Sequence, residues 1–477
     1  MKLKALLQDV EIKEEPKINP EITNVTDSTE KLRRGGAFVC IRGDRTDGHR
    51  YARQAVEKGA AVVICEYDTG VQNCVIVSDT RKAYALMCAA FYGNRHKNLN
   101  IIGITGTNGK TTTSYILKKI LDEAGYRTGL IGTVSVVIGK EIYPADLTTP
   151  DPSDLHRFFM LMDIAGCDVC IMEVSSQALI QQRVYGLHFD CGIFTNLTSE
   201  HLDYHKTREN YRQAKRILFE NCGDAVLNAD DPNSDYMRKV CTGRVLTYGR
   251  QNADITAENV RLSREGISYS LNTPEGSYNV SADILGEFNV SNTLAALSAA
   301  FLTGANMDRA VRSVSRFEGI CGRMESVPNN LGINVIIDFA HTPESMENAL
   351  KTLRQIYGGR IITVFGCGGD RDREKRPLMG RTACEYSDTV FVTSDNSRNE
   401  KPEDIINEIT DGLENDNLFR ITDRRLALKS AIFSAKAGDT VFVAGKGHEK
   451  YQITGSQKIY FNEREIIGNL LEEKARF

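Results

Sequence analysis

No stretch of the sequence stays apolar for anything near the roughly 20 residues that a membrane-spanning helix needs. The opening residues, MKLKALLQDVEIKEEPK, interrupt any secretory core with Asp9, Glu11, Glu14 and Glu15. No membrane insertion and a cytoplasmic address are therefore expected. An excess of one charge is missing too: 59 Lys and Arg stand against 63 Asp and Glu, for a net charge of −4. This argues against a surface built to hold nucleic acid. The twelve cysteines lack the dense spacing of a disulfide scaffold, so reduced thiols are expected. Cys167 and Cys170 form a close pair, but no second pair and no paired histidines complete a zinc site, and strand packing is the reading. No internal repeat or low-complexity tract stands out.

What is present is the alternation of a globular α/β protein. A chain of 477 residues with 41% hydrophobic residues favours three domains over one. Residues 1–98 read as a small α/β unit, with apolar runs at Ala37–Val39, Ala60–Ile64 and Val75–Val77 and a helical stretch at Tyr51–Lys58. Residues 99–326 read as a nucleotide-binding, mostly parallel sheet, in which the run from Ile101 leads through a glycine loop into a helix at Thr111–Ala124. Residues 327–477 read as a second doubly wound sheet, with strands at Val335–Ile337, Ile361–Phe365, Thr389–Thr393 and Thr440–Val443. A loop-like boundary at Arg316–Pro328, punctuated by Gly319 and Gly322, separates the last two.

The strongest chemical signal is "GITGTNGKTTT". Gly106-Thr107-Asn108-Gly109-Lys110-Thr111, followed by Thr112, is a phosphate loop with two residues fewer than a full Walker A spacing. Backbone N–H groups at the start of the following helix can hold phosphate oxygens. Lys110 adds charge near the terminal phosphates, and the Thr111 hydroxyl can ligate Mg²⁺. Glu173, at the carboxyl end of a strand in "IMEVSSQAL", and His201, in "FTNLTSEHLDYH", could complete a magnesium sphere. Lys215, on an amphipathic helix, reads from pattern alone as a solvated lysine.

These motifs occur in order with "LTTPDP", "AKRILF", "LNADDP", "DFAHTPESM", "GGDRDREKRP", "SDNSRNE" and "AGKGHE". Together they resemble the Mur ligase family from about Thr26 to Glu465. The resemblance implies three domains, for a UDP-sugar, ATP and an amino acid. It also implies ATP-driven, Mg²⁺-dependent addition of an amino acid to UDP-N-acetylmuramoyl-L-alanyl-D-glutamate in peptidoglycan synthesis, by a monomer. By resemblance, Lys110 and Thr111 serve the ATP phosphates, Glu173 and His201 the metal, and Lys215 is carbamylated, which turns a cation into an anion. Asn289, Asn292, Arg323, Asp338 and His341 match ATP-contacting positions. Ser28, Thr148, Thr149, Ser175, Gln181 and Arg183 match the UDP-sugar site.

Arg371, Asp395, Asn396, Arg398, Gly445 and Glu449 match the amino-acid site. Its signature in diaminopimelate-adding members is Asp-Asn-Pro-Arg. Arg398 implies meso-diaminopimelate, whose distal carboxylate a guanidinium can grip with two hydrogen bonds; L-lysine or another diamino acid stays open. Three departures accompany the match: Ser397 replaces the proline, Gln177 stands where histidine is usual, and Glu200 where aspartate is common. A folylpolyglutamate synthetase-like ligase and a non-catalytic nucleotide-gated scaffold are the rival readings. The first is opposed by "LTTPDP", "EVSSQAL" and "AGKGHE" together, the second by the presence of Lys110, Glu173, His201 and Lys215.

Overall fold

The computed structural model describes residues 1–14, 16–43, 46–198, 202–414 and 416–476. His201 and Glu200 lie outside the described residues. Near the N-terminus, strands Val25–Thr26, Ala37–Val39, Val62–Cys65 and Cys74–Ile76 form a parallel sheet in sequence order. Helix Thr80–Phe91 follows, capped by Asp79, whose carboxylate accepts from the N–H groups of Arg81 and Lys82. Cys65 and Cys74 are joined as a disulfide, which corrects the expectation of reduced thiols for this pair. The cause is topological, because residues nine apart in sequence become neighbours across adjacent parallel strands.

The middle of the chain builds an eleven-stranded sheet among the described residues. Its parallel core runs, edge to edge, through Val245–Gly249, Cys222–Asn228, Phe189–Phe194, Asn100–Thr105, Val169–Glu173 and Thr128–Ile131. Strand Ile255–Ser263 adds to the first of these in parallel, and antiparallel strands within 266–282 and 135–144 extend the two sides. The inner strands are apolar on both faces because helices cover both faces. Ile104, Ile193, Leu117 and Leu294 pack on one side, and Met172, Phe189, Phe159 and Phe219 on the other.

Two buried histidines sit where the first unit joins this sheet. His96, in the short turn Arg95–Asn98, packs edge to face on His156 of helix Pro152–Ile164, with ring centroids 5.2 Å apart. Burial and the charge of Lys97 pull His96 down to about 4, and burial and His96 pull His156 down to about 3. Asp163 ties the same junction by accepting from Arg95 at 2.8 Å and Asn98 at 2.9 Å.

The third sheet runs Glu325–Ser326, Asn334–Asp338, Thr440–Ala444, Ile361–Phe365, Thr389–Val392, Leu418–Arg420, parallel apart from its first pair. A separate hairpin pairs Tyr451–Thr454 with Gln457–Tyr460. The carboxyl ends of this sheet carry the loops after Asp338, Phe365, Val392 and Ala444, the edge at which open α/β sheets present ligands. The α/β class and layered architecture expected from sequence are what the structure displays; the strand Leu418–Arg420 and the 451–460 hairpin were not anticipated.

Candidate active site

The phosphate loop connects strand Asn100–Thr105 to helix Lys110–Ala124. Two of its glycines are obligatory on steric grounds. A Cβ on Gly106 would collide with the Thr195 hydroxyl, and one on Gly109, at φ 87°, with the Asn292 amide. The segment after strand Phe189–Phe194 braces the loop from outside. Asn196 accepts from Asn108 N–H at 2.9 Å, Thr195 donates to Asn108 O at 2.7 Å, and Thr107 accepts from Thr198 N–H at 3.0 Å. Lys110 folds its ammonium onto the carbonyls of Gly106 and Thr107, both at 2.8 Å. The Thr112 hydroxyl-bearing turn follows at the floor of the cavity described next.

A cavity of about 250 Å³ opens beside the loop. Asn108, Gly109, Asn289 and Asn292 line it from the middle sheet, and Asp338, Glu344 and Asn348 from the last. Arg323 crosses between them, with Nη2 3.4 Å from the Thr111 hydroxyl and its Cζ 4.7 Å from the centre of the Phe339 ring. Its buried Nε has no partner among the described residues. Burial lowers the Arg323 guanidinium and raises the Asp338 carboxyl, while attraction between the two opposes both shifts. Gly322, at φ 69°, lies so close to the backbone of Gly447 and His448 that a Cβ would clash with it.

The Thr111 hydroxyl donates to Glu173 Oε2 at 2.9 Å, and Thr133 donates to the same carboxylate through N–H and hydroxyl, both at 2.9 Å. The buried Thr111 and Glu173 oxygens, with half-buried Thr133 beside them, suit a hard divalent cation such as Mg²⁺. Lys215 is 1% exposed, not solvated as its helical pattern suggests. Its Nζ lies 4.4 Å from the centre of the Tyr211 ring, and the Tyr211 hydroxyl is 3.1 Å from Thr107. Tyr211 thus links the lysine's helix to the phosphate loop, a placement that needs the tertiary fold.

Toward the first unit, Thr149 donates to Glu173 O at 2.8 Å and accepts from Ser175 N–H at 3.0 Å. Thr148 lies 3.1 Å from the Thr133 hydroxyl. Arg183 donates to Thr149 O and to the Gln181 side-chain oxygen, and pairs with Asp151 at 3.2 Å. Gln181 and Arg183 line a cavity of about 230 Å³ together with Asp27 and Arg81 of the first unit. Ser28, by contrast, bonds within its own turn, to Thr26 and Glu30.

A third cavity, of about 290 Å³, gathers His341, Arg371, Asp395, Asn396, Arg398, Gly445 and Glu449 from four different loops. The Asn396 side chain donates to Glu449 at 2.8 Å, and Arg398 donates to Gly369 O at 2.7 Å. Lys446, absent from the sequence-based set, is fully buried beneath this cavity, 3.2 Å from Asn396 Oδ1 and 3.1 Å from Glu449. Burial works to raise the Asp395 carboxyl, but the charges of Lys446 and Arg424 outweigh it and hold the group below the usual carboxylate range. Lys375, which donates to His341 O at 2.9 Å, also lines the cavity. In the mixed-charge run around it Arg371, Arg373 and Glu374 stay exposed, while Arg376 is 0% exposed between Glu400 and Glu408.

Thr133, Lys375, Arg376, Lys446 and His448 were missed as site residues. His448 stood in the quoted "AGKGHE" and offered a signal; Thr133, in an ordinary strand turn, offered none. Burial, reinforced by the charges of Arg323 and Lys446, lowers His448 to about 4 although the Thr133 carbonyl accepts from its ring.

A phosphate loop that faces a second nucleotide-type sheet across a cleft, with a small α/β unit attached, is the build of a three-domain ligase. The chain belongs to the Mur ligase family. The family's middle-domain model matches residues 104–300, its glutamate ligase domain model residues 322–447, and the Mur ligase family catalytic domain model residues 21–102. A UDP-N-acetylmuramoyl-L-alanyl-D-glutamate--2,6-diaminopimelate ligase of Clostridium botulinum is 42% identical over 485 residues, covering 99% of this chain and 100% of that protein. The protein of the same name from Bacillus velezensis is 42% identical over 466 residues, covering 95% of each. A solved structure of a ligase so named superposes with a TM-score of 0.70 at 32% identity, over 100% of this chain and 99% of that one. A folylpolyglutamate synthase of Mycobacterium tuberculosis shares the fold at 17% identity and a TM-score of 0.66, over 77% of this chain and 92% of that one.

Proposed function

We propose that this chain uses ATP to join meso-diaminopimelate to the γ-carboxylate of D-glutamate in UDP-N-acetylmuramoyl-L-alanyl-D-glutamate. The observation that carries the reading is the third cavity, where Arg398 and Glu449 meet in a chain akin to ligases named for that amino acid. Arg398 suits the distal carboxylate and Glu449 the ammonium beside it. We assign the UDP-sugar to the first unit, residues 1–98, with Ser28, Thr148, Thr149, Ser175, Gln181 and Arg183. ATP falls to residues 99–326 and the amino acid to residues 327–477, in a cytoplasmic monomer.

A carboxylate is a poor electrophile. In this reading its oxygen attacks the γ-phosphorus of ATP, ADP departs, and an acyl phosphate forms. The amine nitrogen of the amino acid, once its ammonium has lost a proton, attacks the acyl carbon, and inorganic phosphate leaves. Lys110 and Arg323 offset the charge on the moving phosphoryl group. Thr111, Glu173 and His201, with Lys215 as its carbamate, are the proposed holders of Mg²⁺. When bound, the ion would neutralise phosphate charge. Asn289, Asn292 and Asp338 orient the nucleotide, whereas His341, matched to an ATP position by sequence, lines the third cavity and is assigned with the amino acid; the cleft, once closed, keeps water from the acyl phosphate.

The test is a competition in which purified protein, ATP and the UDP-linked dipeptide meet equal meso-diaminopimelate and L-lysine, with products weighed by mass spectrometry. The diaminopimelate product is expected to dominate, and Arg398→Ala to reduce it. Equal or greater lysine incorporation by the unaltered protein would reject diaminopimelate as the substrate.

A further inference from the structure

Arg398 holds an unusual backbone for a residue with a long side chain, at φ 51° in the left-handed region. A proline before it would stiffen the approach, but Ser397 stands there instead. Ser397 is 1% exposed, and its hydroxyl has no partner among the described residues, so the side chain does not fasten the loop.

The 451–460 hairpin fastens it. Ile453 O accepts from Arg398 N–H at 3.2 Å, and Gly455 N–H donates to Arg398 O at 2.6 Å, gripping the strained residue on both sides. Ile453 N–H donates to Asn396 Oδ1 at 2.9 Å. Gln452 donates from Nε2 to the Ser394 hydroxyl at 2.8 Å and to Asp395 O at 3.1 Å. One strand of the hairpin therefore engages four of the five residues from 394 to 398. The other strand, Gln457–Tyr460, is exposed along its length. On the opposite side, Glu400 receives Arg376 at 2.8 Å through each oxygen and also accepts from Asp370 N–H, which ties the 366–371 loop to the same segment.

We infer that the hairpin is a specificity element, and that Gln452 is a positioning residue which aims Arg398 at the amino acid's distal carboxylate, doing by hydrogen bonds what proline would do by its ring. The inference rests on the reading of Arg398 above. Gln452 lies outside the residues that line the amino-acid cavity, so it acts through Ser394, Asp395 and the strand that holds Arg398.

The experiment compares the unaltered protein, Gln452→Ala, Ser394→Ala and the double variant Gln452→Ala/Ser397→Pro. It measures KM for each of the three substrates, kcat, and the diaminopimelate-to-lysine product ratio. Gln452→Ala is expected to raise KM for diaminopimelate about tenfold, equivalent to about 1.4 kcal/mol, and to lower the product ratio by a similar factor. KM for ATP and for the UDP-linked dipeptide should stay within about twofold. Ser394→Ala should shift the ratio in the same direction by a smaller factor. Among the described residues Ser397 N–H makes no hydrogen bond, so proline at 397 loses none, and the double variant should recover most of the ratio.

A folded Gln452→Ala protein with an unchanged ratio overturns the inference. So does an equal rise in all three KM values, which marks general loosening, and so does a double variant that recovers nothing. Should Gln452→Ala fail to fold, Ser394→Ala decides on the same ratio. If the unaltered protein prefers lysine, the assigned substrate is wrong, and the clamp is still judged by whether the ratio moves between it and the variants.

Discussion

Lys110 spends its ammonium on two loop carbonyls 2.8 Å away, bonds that a triphosphate can replace with stronger, charge-assisted ones. The residue thus holds the loop in shape, and in the proposed reaction it stabilises the transferred charge once nucleotide is bound. Lys110→Ala is expected to lower kcat for ADP release by about 10²–10³-fold, the usual scale for losing one donor to a transition-state anion. KM for the amino acid should barely change, because its cavity is built from other loops. A coupled ADP-release assay checks this, and a variant within threefold of the parent would remove Lys110 from the chemistry. The phosphate loop was readable in the sequence since all its parts lie within a few consecutive residues. Lys215 was not, because the helical pattern around it is that of a solvated lysine; Tyr211 lies one turn away on the same helix, and only folding buries that face and sets the Tyr211 hydroxyl against Thr107.

At the scale of elements, the junction between the first unit and the middle sheet depends on two uncharged imidazoles. His96 and His156 have folded values near 4 and 3, below the ordinary 6.5. Between the folded and unfolded values the unfolded chain binds more protons, so their stabilisation is complete above about pH 6.5 and declines as pH falls toward 3. For His156 the loss from pH 7.5 to pH 5 amounts to about 2 kcal/mol. His156→Phe should therefore reduce the fall in urea-unfolding free energy over that interval by about this amount, whatever its effect at pH 7.5. An unchanged pH dependence would show that these rings are not kept neutral. The strands themselves were legible because apolar runs such as Ile361–Phe365 are buried over their whole length. The 451–460 hairpin was not, since its sequence is polar and its pairing to residues 394–398 crosses more than fifty positions.

Across the whole molecule, the cavity proposed for the nucleotide takes Asn108 and Asn292 from one sheet and Asp338 and Asn348 from another, while the one proposed for the amino acid belongs to the last sheet alone. In the proposed reaction the ATP and the amino acid are held by different sheets, so a movement of one sheet against the other, with Arg323 at the crossing, is predicted to align them. Solution scattering is expected to show a smaller radius of gyration with a non-hydrolysable ATP analogue, the UDP-linked dipeptide and meso-diaminopimelate than without them. An identical curve in both conditions would mean that the cleft is already in its working form. The position of Gly322 sets a clearance for any such motion. The linker passes the 447–448 backbone with room for a hydrogen and none for a methyl group. Even alanine at 322 would have to push the 447–448 backbone aside, and with it the loop that carries Gly445 and Glu449.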